Sequence, residues 1–196
     1  ITNDDSLTAS ITVSPATVLE NGATNLVYTV SLNTTSATDT VVNLTTTGTA
    51  TSGTDYTGAV TSVTIPAGST TATVTIDPTA DTVVEPDETV IITVATGTGY
   101  TVGTPSSATG TITNDDSLTA SITVTPATVA EDGTTNLVYT VTLNTTASTP
   151  TTVNLTTTGT ATAGRDSTGA VTSVTIPAGS TTATVTIDPT ADTVVE

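Results

Sequence analysis

The chain reads ITNDDSLTAS over residues 112–121, and the same ten letters open it over residues 1–10. This offset of 111 residues holds without a gap to the last residue, where Glu85 matches Glu196. Twelve of the 85 aligned positions differ. A repeat of this length has the size of a domain and far exceeds one solenoid coil or one propeller blade. The sequence therefore predicts tandem copies of one domain.

The repeat also sets the expected domain boundaries. We expect residues 1–5 to end a preceding repeat, residues 6–116 to form a complete domain, and residues 117–196 to form a second domain truncated before its last two strands. If the domain is a β-sandwich, the loss of its last two strands leaves an open sheet edge, which is a template for a strand of another chain. Two interpretations follow. The chain is a window on a longer, filamentous array, which we favour, or its copies complete one another in a fibre.

Short alternating runs, separated by Gly, Pro, Asn and Asp, fill each repeat. Over residues 7–13 apolar side chains alternate with Thr and Ser, which is the pattern of a strand with one buried face. Six further runs in the first repeat are also predicted to be strands, over residues 26–32, 42–44, 60–65, 72–76, 90–94 and 108–112. Turn residues separate these runs at the spacing of an immunoglobulin-like sandwich. The predicted fold is all-β, with tandem seven-stranded Ig-like β-sandwiches.

Charge and composition exclude several classes of partner. One basic residue stands against eighteen acidic ones, for a net charge of −17. Nucleic acids and anionic membrane surfaces both bind proteins through Lys and Arg side chains. We therefore expect no nucleic-acid partner, and we expect cations as partners instead. The chain has no Cys and no His, which excludes disulfides and soft-metal sites. No segment approaches the roughly 20 apolar residues of a membrane span, so we expect no membrane insertion here.

The residues needed for most catalysis are absent from the sequence. Without His, Cys or Lys there is no side chain that acts as a base near neutral pH and no activated nucleophile. Paired carboxylates could cleave glycosidic bonds, but that chemistry needs an aromatic cleft, and the chain has four Tyr and no Phe or Trp. We therefore expect that the protein is not an enzyme.

Acidic residues of the first repeat fall just outside the predicted strands. They are Glu20, Asp55, Asp81, Glu85, Asp115 and Asp116. In a sandwich of this topology their loops gather at one end, where unpaired carboxylates repel one another. Calcium takes six to eight oxygen ligands and would relieve that repulsion, so the pattern predicts a Ca²⁺ site. The alternative left open is that these acids are turn formers and solubilising charges.

Five sequence blocks carry a resemblance to a known family. They are ENG at residues 20–22, GTATSGTDY at 48–56, IPAG at 65–68, DTVVEPDE at 81–88 and ITNDD at 112–116. In order and spacing they resemble the Calx-beta motif, across all of the first repeat and the second as far as it goes. The resemblance implies a seven-stranded Ig-like sandwich, with ions among the loops at one end in the calcium-binding members. It also implies long arrays, as in bacterial surface proteins.

The resemblance also implies a set of calcium ligands. In the first repeat Glu20, Asp55, Asp81, Asp115 and Asp116 match the family's ligand positions, and Glu85 is a weaker candidate. The matching residues of the second repeat are Glu131, Asp166, Asp192 and Glu196. Thr82 and Pro86 stand where strongly binding members carry further acids, which implies one or two sites rather than four. Ser167 replaces Tyr56 in the second repeat, which predicts that losing this ring is close to neutral.

Two functions from different classes fit these features. The first is a structural element of an extracellular or cell-surface protein, an extender or filament rod stiffened by calcium at the junctions between domains. Its partners would be other copies or repeats of itself. The second is an adhesin-like module that binds a glycan or a cell-surface protein through its loops. Near-identity of the copies favours the structural role, because a rod of constant spacing requires repeats of the same structure. The differences fall mainly at residues 19–23, 36–41 and 52–56, which the second function would explain.

Overall fold

The computed structural model describes residues 6–191 and residue 193. These residues divide into two compact units. The first runs to Asp81 and then takes in Pro86–Asp115, and the second comprises Thr82–Glu85 and the chain from Asp116 onward. All regular structure in the described residues is β-strand, which confirms the all-β prediction. None of these residues belongs to a helix long and apolar enough to span a membrane. The predicted remnant over residues 1–5 lies outside the described residues.

The first unit is built from ten strands. They are β1 (Thr8–Val13), β2 (Thr17–Leu19), β3 (Leu26–Leu32), β4 (Thr40–Gly48), β5 (Tyr56–Thr57), β6 (Ser62–Ile65), β7 (Thr71–Pro78), β8 (Glu88–Val94), β9 (Thr101–Val102) and β10 (Ser107–Thr113). One sheet has the order β5-β7-β3-β1-β9, and the other has the order β2-β10-β8-β4-β6. The pairs β1–β9 and β2–β10 are parallel, whereas the others are antiparallel. The two sheets form the predicted sandwich.

Alternation in the sequence decides which side chains enter the core. In β3, every second residue from Leu26 to Leu32 is buried, while Val27, Thr29 and Ser31 are only partly so. Apolar residues from both sheets form one cluster, and aliphatic side chains supply most of it. Without Phe or Trp, Tyr28 and Tyr56 are two of the few large rings in the core.

Tyr28 links the two sheets through hydrogen bonds as well as through packing. Its side chain is fully buried on β3. The hydroxyl donates to the carbonyl oxygen of Val90 on β8 at 2.6 Å and accepts the backbone N–H of Gly110 on β10 at 3.0 Å. Val90 and Gly110 face each other across their two strands. A Cβ on Gly110 would lie 2.6 Å from the Tyr28 oxygen, so the ring position requires glycine there.

The second unit contains six strands in its described residues. They are β11 (Ala120–Thr125), β12 (Leu137–Leu143), β13 (Thr151–Asn154), β14 (Ser167–Thr168), β15 (Ser173–Ile176) and β16 (Thr182–Pro189). Four of them form a sheet of order β11-β12-β16-β14, and β13 pairs with β15. The register repeats that of the first unit, since Ile122 faces Val141 as Ile11 faces Val30. The buried apolar cluster is small and consists of Val141, Leu143 and Ile176.

The segment Thr82–Glu85 adds a short extended piece to this second unit. Val84 forms a parallel bridge with Ala147, which is buried. The N–H of Val84 donates to the carbonyl of Thr146, and the N–H of Ser148 donates to the carbonyl of Val84, both at 3.0 Å. These backbone bonds explain why the four residues belong to the second unit.

Candidate metal centre

Parallel pairing of β2 with β10 brings three predicted ligands together. Thr113 at the end of β10 faces Leu19 at the end of β2, and the N–H of Glu20 donates to the Thr113 carbonyl at 3.0 Å. Residues that follow the ends of two parallel strands leave the sheet side by side. Carboxylate oxygens of Glu20, Asp115 and Asp116 accordingly lie within 4.8 Å of one another. We call these residues the first carboxylate group.

Glu20 is the anchor of the first carboxylate group. Its side chain is only 7% exposed, which is unusual for an acid because an ionised carboxylate loses hydration on burial. Its Oε1 accepts the backbone N–H of Asp81 at 3.0 Å. Asn21 holds the neighbouring acid, since its Nδ2 donates to Oδ1 of Asp115 at 2.9 Å. The buried position therefore keeps at least one carboxylate oriented towards the others.

Asp81 reaches this site through its backbone. Its N–H lies against Glu20, but its own carboxylate belongs to neither of the two groups of acids found among the described residues. The sequence expectation that Asp81 contributes a ligand stays a prediction. Its position next to Glu20 follows from the loop that leaves β7.

A second carboxylate group joins Asp55, Glu85 and Glu88, each of which is partly buried. Asp55 precedes β5, whereas Glu88 is the first residue of β8. One backbone bond links the chain before β5 to the segment between β7 and β8, since the N–H of Thr79 donates to the Asp55 carbonyl at 2.9 Å. Carboxylate oxygens of the three acids lie within 4.8 Å of one another.

Glu88 was missed as a ligand by the sequence analysis, although it closes the DTVVEPDE block. The available signal was its place at the end of that block, four acids within eight residues. The resemblance matched only Asp81 and, more weakly, Glu85 of this block to ligand positions. Asp87 beside it has another task, since its Oδ1 accepts the N–H of Asn114 at 3.2 Å.

Asp55 also closes its own loop. Its Oδ2 accepts the N–H of Thr51 at 2.5 Å. Asp166 repeats this arrangement in the second unit, where its Oδ2 accepts the N–H of Thr162 at 2.6 Å. A carboxylate that accepts a local backbone N–H is a common turn device. The turn-forming interpretation thus fits both residues, and Asp55 in addition belongs to the second carboxylate group.

The predicted ligands of the second repeat are not gathered in the same way. Glu131 and Asp166 both line an open cleft of the second unit, but the described residues of this unit hold no group of three acids. Arg165 lies beside Asp166, with 3.7 Å between Nε and Oδ1. Asp192 and Glu196 lie outside the described residues. Among the described residues, both groups of three acids belong to the first repeat.

The donor set of the two carboxylate groups fits a hard cation. All six side chains offer carboxylate oxygens, which calcium prefers, and the chain has no thiolate or imidazole for softer metals. Three carboxylates at this separation repel one another, and the only basic residue of the chain is Arg165 in the second unit. A divalent cation is the simplest partner for either group.

Comparisons with known proteins identify one domain family along the chain. The family model of the Calx-beta domain matches the chain over residues 2–116 and 113–196. The apo-form Calx CBD1 domain is 28% identical, with a TM-score of 0.49, covering 57% of this chain and 100% of that one. The CBD12 of CALX1.2 and the calcium binding domain CBD12 of CALX1.1 are each 22% identical. Their TM-scores are 0.47 and 0.46, and each covers 92% of this chain and 75% of its own. No curated protein matches the chain.

Proposed function

This chain belongs to the Calx-beta domain family, and from that premise we propose that it is a calcium-binding structural repeat without catalytic activity. The observation that carries the proposal is the first carboxylate group, in which a buried Glu20 faces Asp115 and Asp116. The absence of His, Cys and Lys from the sequence supports a role other than catalysis. Tandem, nearly identical copies support a role in setting distance.

The position of Asp115 and Asp116 in the sequence suggests what calcium would do. They are the last residues of the first repeat, and Ser117 begins the next run of the repeat pattern. A cation shared by these two acids and Glu20 would hold the backbone at the end of the repeat in one conformation. Its binding free energy would offset the conformational entropy that this ordering costs. Extracellular modules bind calcium with dissociation constants of about 10⁻⁴ to 10⁻³ M, and the cysteine-free, acidic composition suits such a setting. We therefore place the protein outside the cell, as an extender or filament segment.

X-ray scattering of the full chain in calcium and in chelator tests the stiffening. We expect a narrower distance distribution in calcium, and the double variant Asp115→Asn, Asp116→Asn should scatter in calcium as the parent does in chelator. The double variant Asp132→Asn, Asp188→Asn is the matched control, because it also removes two negative charges, from exposed acids outside both carboxylate groups. Identical profiles of the parent chain in calcium and in chelator would contradict the proposal.

An adhesive module is the second candidate. Most differences between the repeats fall at residues 19–23, 36–41 and 52–56, which lie in or beside the loops after β2, after β3 and before β5. Loops that meet a partner vary in this way, although unconstrained loops do too. Binding of the labelled chain to an array of glycans separates the two functions. A purely structural role predicts no signal, and dose-dependent binding to one glycan class would favour adhesion.

A further inference from the structure

Asn21 and Gly22 form the only Asn-Gly pair in the chain. The pair lies in the loop between β2 and β3, where the Asn21 side chain is exposed. Every other asparagine precedes Leu, Thr or Asp, whose side chains hinder access to the backbone nitrogen that follows. Glycine has no side chain and leaves its backbone free to adopt many conformations. Asn21 is therefore the asparagine whose side-chain amide is most accessible to the next backbone nitrogen.

The second repeat carries an acid at the matching position. Asp132 stands in place of Asn21, and Gly133 matches Gly22. Both turns close in the same way, because the N–H of each glycine donates to the carbonyl three residues before it. The distance is 3.2 Å in the first repeat and 3.1 Å in the second. The turn therefore accommodates aspartate where the first repeat has asparagine.

We propose that Asn21 is a site of spontaneous deamidation, which converts the first-repeat loop to the acidic form that the second repeat carries. The Gly22 nitrogen attacks Cγ of Asn21, so that an N–Cγ bond forms and the Cγ–Nδ2 bond breaks. The amide leaves as ammonia and takes the proton of the Gly22 N–H. Solvent water then opens the five-membered imide at either carbonyl, which gives aspartate or isoaspartate. Water is the only co-reactant, and asparagine is among the thermolabile residues of proteins.

Two hydrogen bonds of the folded loop oppose this reaction. Nδ2 of Asn21 donates to Oδ1 of Asp115 at 2.9 Å, which holds the leaving group in place. The N–H of Gly22 is bonded to the Leu19 carbonyl, and this bond must break before the nitrogen can attack. Loops open locally at a low cost in free energy, and the attack requires such an opening. The bond between Asn21 and Asp115 therefore limits the rate of deamidation.

Deamidation changes the charge beside the first carboxylate group. The new carboxylate cannot donate a hydrogen bond to Asp115 and repels it instead. The loop after β2 then loses the side-chain bond that joins it to the residues after β10. The product is one charge more acidic than the parent chain, and in the absence of a cation it is less stable.

Peptide mapping of the full chain by mass spectrometry, during incubation at neutral pH, tests the proposal. Asn21 should convert to aspartate and isoaspartate while the other asparagines stay amides. Gly22→Ala should slow the conversion roughly tenfold or more, because the methyl group restricts the backbone and hinders its nitrogen. The added Cβ would lie 3.2 Å from the Leu19 carbonyl oxygen, so the turn needs only a small adjustment. Conversion of Asn21 no faster than that of the other asparagines, or an equal rate in Gly22→Ala, would overturn the proposal.

Asp132→Asn is the matched gain-of-site variant. It places the same pair in the same turn of the second repeat, so residue 132 should deamidate as well. A stable amide at this position would overturn the proposal, because the pair and its turn would then be insufficient for the reaction.

Asp115→Ala tests whether the hydrogen bond to Asp115 limits the rate. In the folded chain it should speed the conversion of Asn21 roughly threefold or more, since the amide loses its acceptor. In urea both chains should convert at the same rate, because neither loop is folded. Equal rates in the folded chains would overturn the rate-limiting role of this bond.

Asn21→Asp reproduces the aspartate product and reports its consequence. In chelator its thermal midpoint should lie roughly 2–8 °C below that of the parent chain, as expected for one lost hydrogen bond in a domain of this size. A midpoint equal to or above that of the parent would overturn the predicted destabilisation.

Discussion

At the scale of single residues, the Asp55 side chain has two tasks. Its carboxylate belongs to the second carboxylate group, and its Oδ2 also accepts the N–H of Thr51. Asp166 has the same backbone bond to Thr162, but it belongs to no such group among the described residues. The backbone bond is thus common to both copies, whereas in the described part of the chain only Asp55 is grouped with other acids.

Asp55→Ala and Asp166→Ala separate these tasks. Each substitution removes a charge-assisted hydrogen bond to a backbone N–H, so each should destabilise its unit by roughly 1.5–3 kcal/mol in chelator. Only Asp55→Ala should also reduce the stabilisation that calcium gives. Urea unfolding of both variants, with calcium and with chelator, measures the two effects. An equal loss of calcium stabilisation in the two variants would remove Asp55 from the ligands.

Tyr28 makes the first unit sensitive to alkali. Burial raises the pKa of its hydroxyl to about 12, although the N–H bond from Gly110 acts in the opposite direction. The unfolded chain therefore loses this proton near pH 10, while the folded chain keeps it to about pH 12. Between these values the unfolded state binds fewer protons, so stability is full below pH 10 and falls as pH rises through the window.

The Tyr28→Phe variant isolates this effect. The rise of the Tyr28 pKa from 10.0 to about 12 corresponds to roughly 3 kcal/mol of unfolding free energy at most. This pH-dependent loss should be absent from the variant. At neutral pH the variant should itself be less stable by about 1–3 kcal/mol, because the buried N–H of Gly110 loses its acceptor. Urea midpoints across the alkaline range give both values. The same alkaline slope in parent and variant would show that another group is responsible.

At the scale of elements, the close approach of β4 to β8 depends on one glycine. Gly48 has φ of 137°, and a Cβ there would lie 2.0 Å from the carbonyl oxygen of Thr89. Gly159 is its copy in the second unit, with φ of 150° and no described atom within 4 Å of that Cβ position. The two glycines share the unfavourable backbone angle, and among the described residues only the first one faces a neighbouring strand.

Gly48→Ala should therefore cost more than Gly159→Ala. Both variants carry the strain of an L-residue at positive φ, but only Gly48→Ala also forces β4 away from β8. We expect the difference in unfolding free energy to be about 1–3 kcal/mol, the usual cost of overpacking. Urea unfolding of the two variants measures it. Equal costs would mean that β4 and β8 do not approach as closely as described.

Alternation predicted the seven long strands of the first unit because one face of each is buried. The three short strands β2, β5 and β9 have two or three residues, too few for alternation to show. For Tyr56, the presence of Ser167 in the second repeat predicts that loss of the ring is close to neutral. The ring is 4% exposed and packed in the core, which favours a larger cost, so the sequence and the burial give opposite expectations. A residue's burial depends on the strands that cover it, and these are distant in sequence.

The candidate site was predicted only in part, again because pairing between strands that are distant in sequence decides which residues meet. Glu20, Asp115 and Asp116 come together because β2 pairs with β10, and loop positions in the sequence were enough to suggest it. Glu131 has the sequence context of Glu20, but no strand pairs with residues 128–130 in the described part of the second unit. Glu88 was not predicted, because the resemblance matched only Asp81 and Glu85 of its block to ligand positions. Local sequence identifies candidate ligands, whereas long-range pairing selects among them.

At the scale of the whole molecule, net charge opposes the compact state. The chain carries −17 with a single basic residue, and like charges repel in any folded arrangement. Salt screens such repulsion without any specific site. A calcium effect is therefore meaningful only against a control of equal ionic strength. Specific binding differs from screening because it depends on individual carboxylates.

Thermal unfolding of the full chain in calcium and in chelator, at equal ionic strength, tests the central claim most directly. Calcium at a hundred times its dissociation constant should add about 2.7 kcal/mol to the stability of the unit that binds it. Glu20→Gln is the informative variant, because the amide oxygen can still accept the Asp81 N–H while the charge is lost. The account predicts a higher midpoint in calcium for the parent chain and little change for Glu20→Gln. Equal midpoints for the parent chain in calcium and chelator, or an equal rise in both proteins, would contradict it.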